Sequence, residues 1–190
     1  MFLTKEQIQK IGFKSVGDNV LISDKATFYR PERISIGNNV RIDDYCVLAN
    51  NIMLHNNIHI ALYACLLSGP NSVIEMEDFS GISFRSLVLT KSDDYSGIAM
   101  TNPTIPDKYR MVTEKPIKIG KHCVIGTGST ILPGANIAEG TSVGAMSLVM
   151  KPTKPWKIYF GIPARPIADR EKKILELEKE YFKEKEVLNA

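Results

Sequence analysis

Aliphatic residues recur at every sixth position along two long stretches of the chain, one starting at Ile36 and the other at Ile119. Two positions before most of them stands another small or apolar residue. A period of six fits neither an α-helix nor a long alternating strand, so each unit predicts a very short strand with two inward side chains and one outward. The repeated positions are Ile36, Ile42, Leu48, Leu54, Ile60 and Leu66, then Ile119, Ile125, Ile131, Ile137, Val143 and Val149.

Between these positions the chain is rich in turn-forming residues, as in Gly37-Asn38-Asn39 and Asn56-Asn57. Asparagine and glycine tolerate the positive φ that a tight corner needs. Short strands joined by tight corners coil into a solenoid whose successive turns pair as parallel strands about 4.8 Å apart. We therefore expect an all-β solenoid. Weaker copies of the repeat extend it at Val16, Ile22 and Phe28 and, after a phase slip, at Met76, Ile82 and Val88.

Charge and cysteine usage exclude several classes of protein. The chain has 24 Lys and Arg against 21 Asp and Glu, scattered along its length, which argues against binding to nucleic acid or to a membrane surface. Its three cysteines lie far apart without metal-binding spacing, which favours a reducing, cytoplasmic compartment. Residues 45–74 carry no charge but contain five asparagines and two histidines, which would be costly in hydrocarbon. We expect this stretch to be buried or covered by another subunit, with no integral membrane segment.

The repeats IGNNVR, IGKHCV and IGTGST resemble those of the hexapeptide-repeat acyltransferases. The run GIPARPI, from Gly161 to Ile167, looks like the GxPA signature at which the β-helix of that family ends. The resemblance covers about residues 16–167 and implies a left-handed parallel β-helix. We expect this domain over residues 1–167, interrupted by an inserted loop at 90–115. The spacing of Ile174, Leu177 and Tyr181 predicts a C-terminal α-helix over 168–190.

The resemblance, closest to bacterial sugar O-acetyltransferases, also implies a function. It suggests transfer of an acetyl group from acetyl-CoA to a sugar hydroxyl in surface polysaccharide or O-antigen biosynthesis, without a metal. An N-acetyltransferase of a nucleotide-linked amino sugar is the alternative, and a non-catalytic β-helix that assembles complexes is a third interpretation. The acceptor would be a small-molecule sugar or nucleotide-sugar. The uncharged outer face of residues 45–74 favours a homotrimer with threefold symmetry.

His59 is the first candidate for a general base. It lies between Ile58 and Ile60, so it must point outward if both isoleucines point inward. If three units make one turn, as in the family, Arg41 lies on the same face one coil away. An imidazole titrates near neutral pH, which suits a base. The run HIALYA also resembles the segment of bacterial sugar acetyltransferases that carries an active-site histidine, although a surface or interface histidine remains the alternative.

The other two histidines are weaker candidates. His55 follows Leu54 at a corner, where it is either a second candidate base or an exposed turn residue. His122 lies in the corner Gly120-Lys121-His122, and we expect it to be exposed to solvent. A three-histidine metal site, as in the β-helical carbonic anhydrases, requires a spacing that this chain lacks.

The inserted loop carries KSDDYSG, from Lys91 to Gly97, and contains no histidine. In galactoside-type acetyltransferases the catalytic histidine lies in this loop, so its absence here favours a base on a strand and an acceptor-binding loop. Asp93 and Asp94 could accept hydrogen bonds from the sugar or orient the imidazolium, and Tyr95 could stack on a pyranose face. Alternatively these are only turn residues, but a loop of this length is more often functional.

The resemblance places acetyl-CoA in a groove between subunits, along the C-terminal coils. Small residues at outward corners would let the pantetheine amides reach the backbone, and cationic side chains would meet the phosphates. Trp156 could stack on adenine or plug the end of the solenoid. The donor-site residues carried over in this way are Gly126, Gly144, Ala145, Lys151, Gly161, Pro163, Ala164 and Arg165.

Overall fold

The computed structural model describes residues 1–188, whose short strands wind into a parallel β-helix with three sheets. Sheet 1 contains Ser15–Val16, Ile34–Ile36, Ile52–Leu54, Ile74–Met76 and Ile117–Ile119. Sheet 2 contains Leu21–Ile22, Val40–Ile42, Ile58–Ile60, Gly81–Ile82, Val124–Ile125, Ser142–Val143 and Lys157–Gly161, with Ala164–Asp169 antiparallel at its edge. Sheet 3 contains Thr27–Tyr29, Val47–Ala49, Cys65–Leu67, Leu87–Leu89, Thr130–Ile131 and Leu148–Val149.

Each coil passes through the sheets in numerical order, and three corners join them. Corner 1 leads from sheet 1 to sheet 2, corner 2 from sheet 2 to sheet 3, and corner 3 from sheet 3 back to sheet 1. In a plain coil Ile34 pairs with Ile52, and Val40 pairs with Ile58, at intervals of eighteen residues. The coil therefore consists of three six-residue units, which confirms the predicted parallel β-helix.

The interior of the coils is a single aliphatic column. All twelve residues of the six-residue repeat are at most 3% exposed. In the strand Ile58–Ile60 both isoleucines are buried while His59 between them faces outward. Fully burying an aliphatic side chain of this size stabilises the fold by about 1.5–3 kcal/mol. The hydrophobic effect therefore fixes the register, and the register determines which side chains remain outside for chemistry.

All insertions between Ile22 and Val149 lie at corner 3. Ile52 pairs with Ile74 across 22 residues, four more than a plain coil of 18, which explains the phase slip of the repeat. Ile74 pairs with Ile117 across 43 residues, so the long loop adds 25. A third insertion of two residues contains the short 3₁₀ turn Pro31–Arg33, because Val16 pairs with Ile36 across 20 residues. Corners 1 and 2 keep their spacing in these coils.

Bulky residues occupy left-handed conformations at corner 1, where the sequence predicts asparagine and glycine. Asn57 has φ 56°, as expected, but Phe79, His122 and Trp156 also have positive φ. Their rings pack along the corner: Phe79 stacks on His122 with centroids 5.3 Å apart, and His122 lies 6.4 Å from Trp156. This packing offsets the cost of the left-handed backbone, about 1–2 kcal/mol for each residue. The expectation that His122 is exposed is wrong, because its side chain is only 6% exposed.

The C-terminal helix α2, Ile174–Leu188, covers this column of rings. It begins six residues later than predicted, because the edge strand of sheet 2 continues to Asp169; the predicted helix residues 189–190 lie outside the described chain. The Glu178 carboxylate accepts hydrogen bonds from Lys121 and His122. Burial alone raises the pKa of Glu178, but these two donors outweigh it and hold the pKa below its ordinary value.

A short N-terminal helix, α1 at Lys5–Ile11, was not expected from the repeat. It opens with a reciprocal capping box between Thr4 and Gln7, a pattern that the sequence shows as T-x-x-Q. Ile8 is buried and joins the core beside the first coil. Neither helix of residues 1–188 combines the length and the apolar run needed to cross a bilayer.

Candidate functional site

His59 lies on the outer surface of sheet 2, and its side chain is 50% exposed. Arg41 is its neighbour in the strand pairing, one coil away, as the spacing predicts. Both side chains converge on Asp43, whose side chain is only 7% exposed. The Nε2 atom of His59 lies 2.7 Å from Oδ2 of Asp43, and Nε of Arg41 donates to Oδ1 at 2.7 Å. Three polar side chains from two coils therefore form one cluster.

Burial by itself raises the pKa of the Asp43 carboxyl. Hydrogen bonds from His59 and Arg41 outweigh burial and hold that pKa below its ordinary value. The carboxylate is therefore ionised at neutral pH. Arg41 pairs with this carboxylate, and its expected contact with the substrate stays a prediction. Asp43 was not predicted as a site residue, because Asp43-Asp44 has the composition of an ordinary corner. Its distance of sixteen residues from His59, just under one coil, was the available signal.

A cavity of about 380 Å³ opens beside His59. The next coil places Gly81 in register with His59, and a Cβ on Gly81 would meet only the His59 carbonyl oxygen within 4 Å. Val124 of the following coil and Arg170 and Ile174 of the C-terminal segment also line this cavity. The outward imidazole thus lines a recess with room for a small ligand.

His55, the second candidate base, lies in a different environment. It follows sheet 1 at corner 1, and its Nε2 atom is 3.1 Å from Oε1 of Glu75. Lys118 pairs with Glu75 and Glu77 on the same surface. This is a network of ion pairs on another side of the coil, so the structure does not bring His55 and His59 into one site.

The inserted loop stands on a rigid base at corner 3. Its two arms, Lys91–Asp93 and Val112–Glu114, pair as antiparallel strands. Glu114 accepts hydrogen bonds from the backbone of Asn71 and the hydroxyl of Ser72. A Cβ on Gly69 would lie 2.2 Å from the Glu114 carboxylate, so the glycine makes room for this contact. The four-residue insertion of the preceding coil therefore supports the long loop.

The loop uses its two aspartates to hold its own shape. Asp93 accepts a hydrogen bond from Arg110 at 3.2 Å, and this contact lowers the pKa of Asp93. Asp94 accepts hydrogen bonds from the Ser96 hydroxyl and from three backbone amides, at Ser96, Ile98 and Ala99. These donors lower the pKa of Asp94 to about 2. Asp94 therefore shapes the tip of the loop, and the sugar contact expected for it stays a prediction.

The loop and His59 lie on opposite sides of the solenoid and belong to successive coils. Sheet 2, which carries His59, faces away from corner 3, where Asp93 and Tyr95 project. No hydrogen bond or ion pair within residues 1–188 links the two groups. The structure therefore brings Arg41 and His59 together, and separately Asp93, Asp94 and Tyr95, without joining the two sets in one chain.

The predicted donor residues divide into two groups. Lys151, Pro163, Ala164 and Arg165 line a cavity of about 410 Å³ at the C-terminal end of the coils. The other four lie at corner 2 or at the end of the strand that leads into it: Gly126, Gly144, Ala145 and Gly161.

Two of the corner glycines have a packing role. A Cβ on Gly126 would lie 2.6 Å from the Ala145 nitrogen, and one on Gly144 would lie 2.1 Å from the Phe160 ring. They are glycines because the coils stack closely. Their expected contact with the donor stays a prediction. Trp156 lies over Gly140 at corner 1, away from the donor cavity, where it plugs the end of the ring column.

Comparison with known proteins places this arrangement among acyltransferases. No family model matches the chain. A dTDP-4-amino-4,6-dideoxy-D-glucose acyltransferase from Escherichia coli is 43% identical over 180 residues, which are 93% of each chain. The galactoside O-acetyltransferase of E. coli K12 is 24% identical over 94% of this chain and 72% of that protein.

A solved structure of another acyltransferase is also similar to this chain. It is a variant of AntD, an N-acyltransferase from Bacillus cereus, in complex with dTDP-4-amino-4,6-dideoxyglucose and coenzyme A. It superposes with a TM-score of 0.92 at 46% identity, over 96% of this chain and 97% of that chain.

Proposed function

Because the chain belongs to the hexapeptide-repeat acyltransferases, we propose that it transfers an acyl group from acyl-CoA to the amine of a nucleotide-linked amino sugar. The acceptor we propose is a dTDP-4-amino-4,6-dideoxy sugar. The observation that carries this proposal is the 43% identity, over nearly the whole chain, to an acyltransferase of such a sugar. The similarity to a sugar O-acetyltransferase is much lower, so N-acylation, the alternative given above, is favoured over O-acetylation.

His59 would serve as the base in this reaction. The amine nitrogen attacks the thioester carbonyl, and a C–N bond forms as the carbonyl oxygen becomes an oxyanion. The nitrogen loses one proton to the His59 imidazole. Collapse of the intermediate breaks the C–S bond, and the imidazolium returns the proton to the departing thiolate of coenzyme A. The recess beside His59 offers space for the reacting groups, and backbone amides would hold the oxyanion.

The donor would approach from the C-terminal coils. Lys151 and Arg165, two cations beside a single recess, are suited to the phosphates of coenzyme A. Three free thiols, Cys46, Cys65 and Cys123, support the prediction of a cytoplasmic location.

Within one chain Asp93 of the loop and His59 lie on opposite sides of the solenoid, at corner 3 and on sheet 2. We propose that a neighbouring copy in a homotrimer supplies the loop. The tip is held by hydrogen bonds to Asp94, yet it presents Tyr95 at 94% and Ile98 at 81% exposure, which suits contact with another subunit. Tyr45 and Tyr63, half-exposed and stacked 5.0 Å apart at corner 2, offer an apolar surface for it.

The trimer predicts a light-scattering mass about three times the chain mass of 21.2 kDa. Replacing Tyr95 and Ile98 together with serine should shift the mass towards that of one chain and reduce turnover in parallel. As a control, Tyr29 on the outer surface of sheet 3 is also exposed, and Tyr29→Ser should leave both unchanged. A wild-type mass of one chain would contradict both the trimer and the shared site.

The proposed reaction is tested with two acceptors that differ in one group. Purified protein is incubated with acetyl-CoA and either dTDP-4-amino-4,6-dideoxyglucose or dTDP-6-deoxyglucose, which has a hydroxyl in place of the amine. Thiol release and mass spectrometry of the product measure acylation. We expect kcat/KM to favour the amine by about 10²-fold or more, since a site built around one polar group discriminates strongly against its loss. A preference for the hydroxyl would reinstate O-acetylation.

A further inference from the structure

Asp43 and Asp44 are adjacent carboxylates that contact opposite coils. Asp44 reaches the preceding coil, where it accepts hydrogen bonds from the Ser23 hydroxyl and the Lys25 ammonium. The contact with Lys25 is a partly exposed ion pair. Asp43 reaches the following coil and contacts His59. The backbone N–H of Asp43 donates to the Ile60 carbonyl at 3.0 Å, so the strand pairing itself fixes its position. The buried carboxylate is therefore held in place independently of any ligand.

The direction of the hydrogen bonds follows from this geometry. An ionised carboxylate can only accept, so both of its partners must donate. Arg41 donates through Nε, and His59 must donate through Nε2, 2.7 Å away. A neutral imidazole with its proton on Nε2 carries its free lone pair on Nδ1. Within residues 1–188 no hydrogen bond involves Nδ1 of His59.

We infer that Asp43 is a positioning residue, which fixes the His59 ring and its tautomer so that Nδ1 accepts the proton of the acceptor. The inference rests on the proposed function, in which His59 is the base. Nε2 is turned towards a buried carboxylate and cannot meet a substrate. After proton transfer the imidazolium stays paired with Asp43, as in other base–carboxylate pairs. Arg41 holds the second oxygen, which prevents the carboxylate from rotating away.

The variant Asp43→Asn distinguishes positioning of the His59 ring from substrate binding. It keeps the size of Asp43 but can present an N–H to the ring, which favours a proton on Nδ1 and blocks the base. For Asp43→Asn we expect kcat to fall about 10²–10⁴-fold, while KM for the amino sugar and for acetyl-CoA stays within about threefold. Asp43→Glu, which restores a carboxylate, should recover part of kcat. The matched control is Asp44→Asn, next in the chain, which should leave kcat unchanged.

A measurement without substrate tests the tautomer directly. Nitrogen-15 NMR distinguishes the two neutral forms of an imidazole, and comparison with His59→Gln assigns the signal among the three histidines. We expect His59 in the wild type to carry its proton on Nε2, and Asp43→Asn to move it to Nδ1. A folded Asp43→Asn protein with the tautomer and kcat of the Asp44→Asn control would overturn the inference. If the tautomer changes as expected but the wild type does not acylate the amino sugar, positioning by Asp43 stands and the proposed function fails.

Discussion

Replacing His59 with glutamine is expected to lower kcat by about 10²–10⁴-fold, the usual range for losing a positioned acid–base group. Glutamine can still donate a hydrogen bond to Asp43, so the buried carboxylate keeps a partner and the coil keeps its shape. The loss is therefore one of proton transfer, since an amide does not accept a proton near neutral pH. The measurement is steady-state turnover with dTDP-4-amino-4,6-dideoxyglucose at saturating acetyl-CoA, together with the thermal shift that acetyl-CoA produces. That shift should match the wild type.

His55→Gln is the control for this experiment. His55 is partly exposed like His59 and pairs with a carboxylate, Glu75, but on another side of the coil. The His55→Gln variant should retain turnover close to that of the wild type. Full activity in His59→Gln with loss in His55→Gln would instead place the base at corner 1.

Gly140→Ala should lower the free energy of unfolding by about 2–4 kcal/mol, the sum of left-handed backbone strain and overpacking. Gly140 has φ +67°, and a Cβ there would lie 2.4 Å from the Trp156 ring. The indole belongs to the column of rings at corner 1, so moving it away would disrupt its packing against His122. Urea unfolding followed by the fluorescence of Trp156, the only tryptophan, measures the effect.

Gly134→Ala is the matched control, because Gly134 has a similar φ of +78° in the same part of the solenoid. The three atoms nearest to an added Cβ all belong to the side chain of Lys115, at 3.0 Å and beyond. A shift of a few tenths of an ångström accommodates the methyl group there, so this change should cost about 1–2 kcal/mol, mainly of backbone strain. An equal loss of unfolding free energy in the two variants would show that the packing of the Trp156 ring adds no cost to the methyl group.

The core could be predicted from sequence because the six-residue period is a local property. Ile58 and Ile60 can both be buried only if His59 points outward, and no distant contact changes that choice. The burial of His122 could not be predicted in this way. It depends on Phe79 from another coil and on Glu178 from α2, and neither contact leaves a local pattern.

In the candidate site, too, some features follow from the local repeat and others depend on distant contacts. The outward position of His59 and its pairing with Arg41 followed from the repeat, but the contact with Asp43 needed the coil length and the corner geometry together. For the loop, the sequence indicated an insertion rich in acceptors. It could not show that Asp94 would be occupied by the backbone of its own turn, because such contacts depend on how the loop folds back on itself.

Corner 3 collects the two-, four- and 25-residue insertions, while the other corners between Ile22 and Val149 keep their spacing. The packing of the aliphatic column therefore does not depend on the length of the segment inserted at corner 3. A segment joined at Thr90 and Lys115, where the arms meet through a backbone hydrogen bond, could be exchanged between homologues as a graft. If the loop binds the acceptor as proposed, such an exchange would change acceptor choice without any change to the residues that make the solenoid fold.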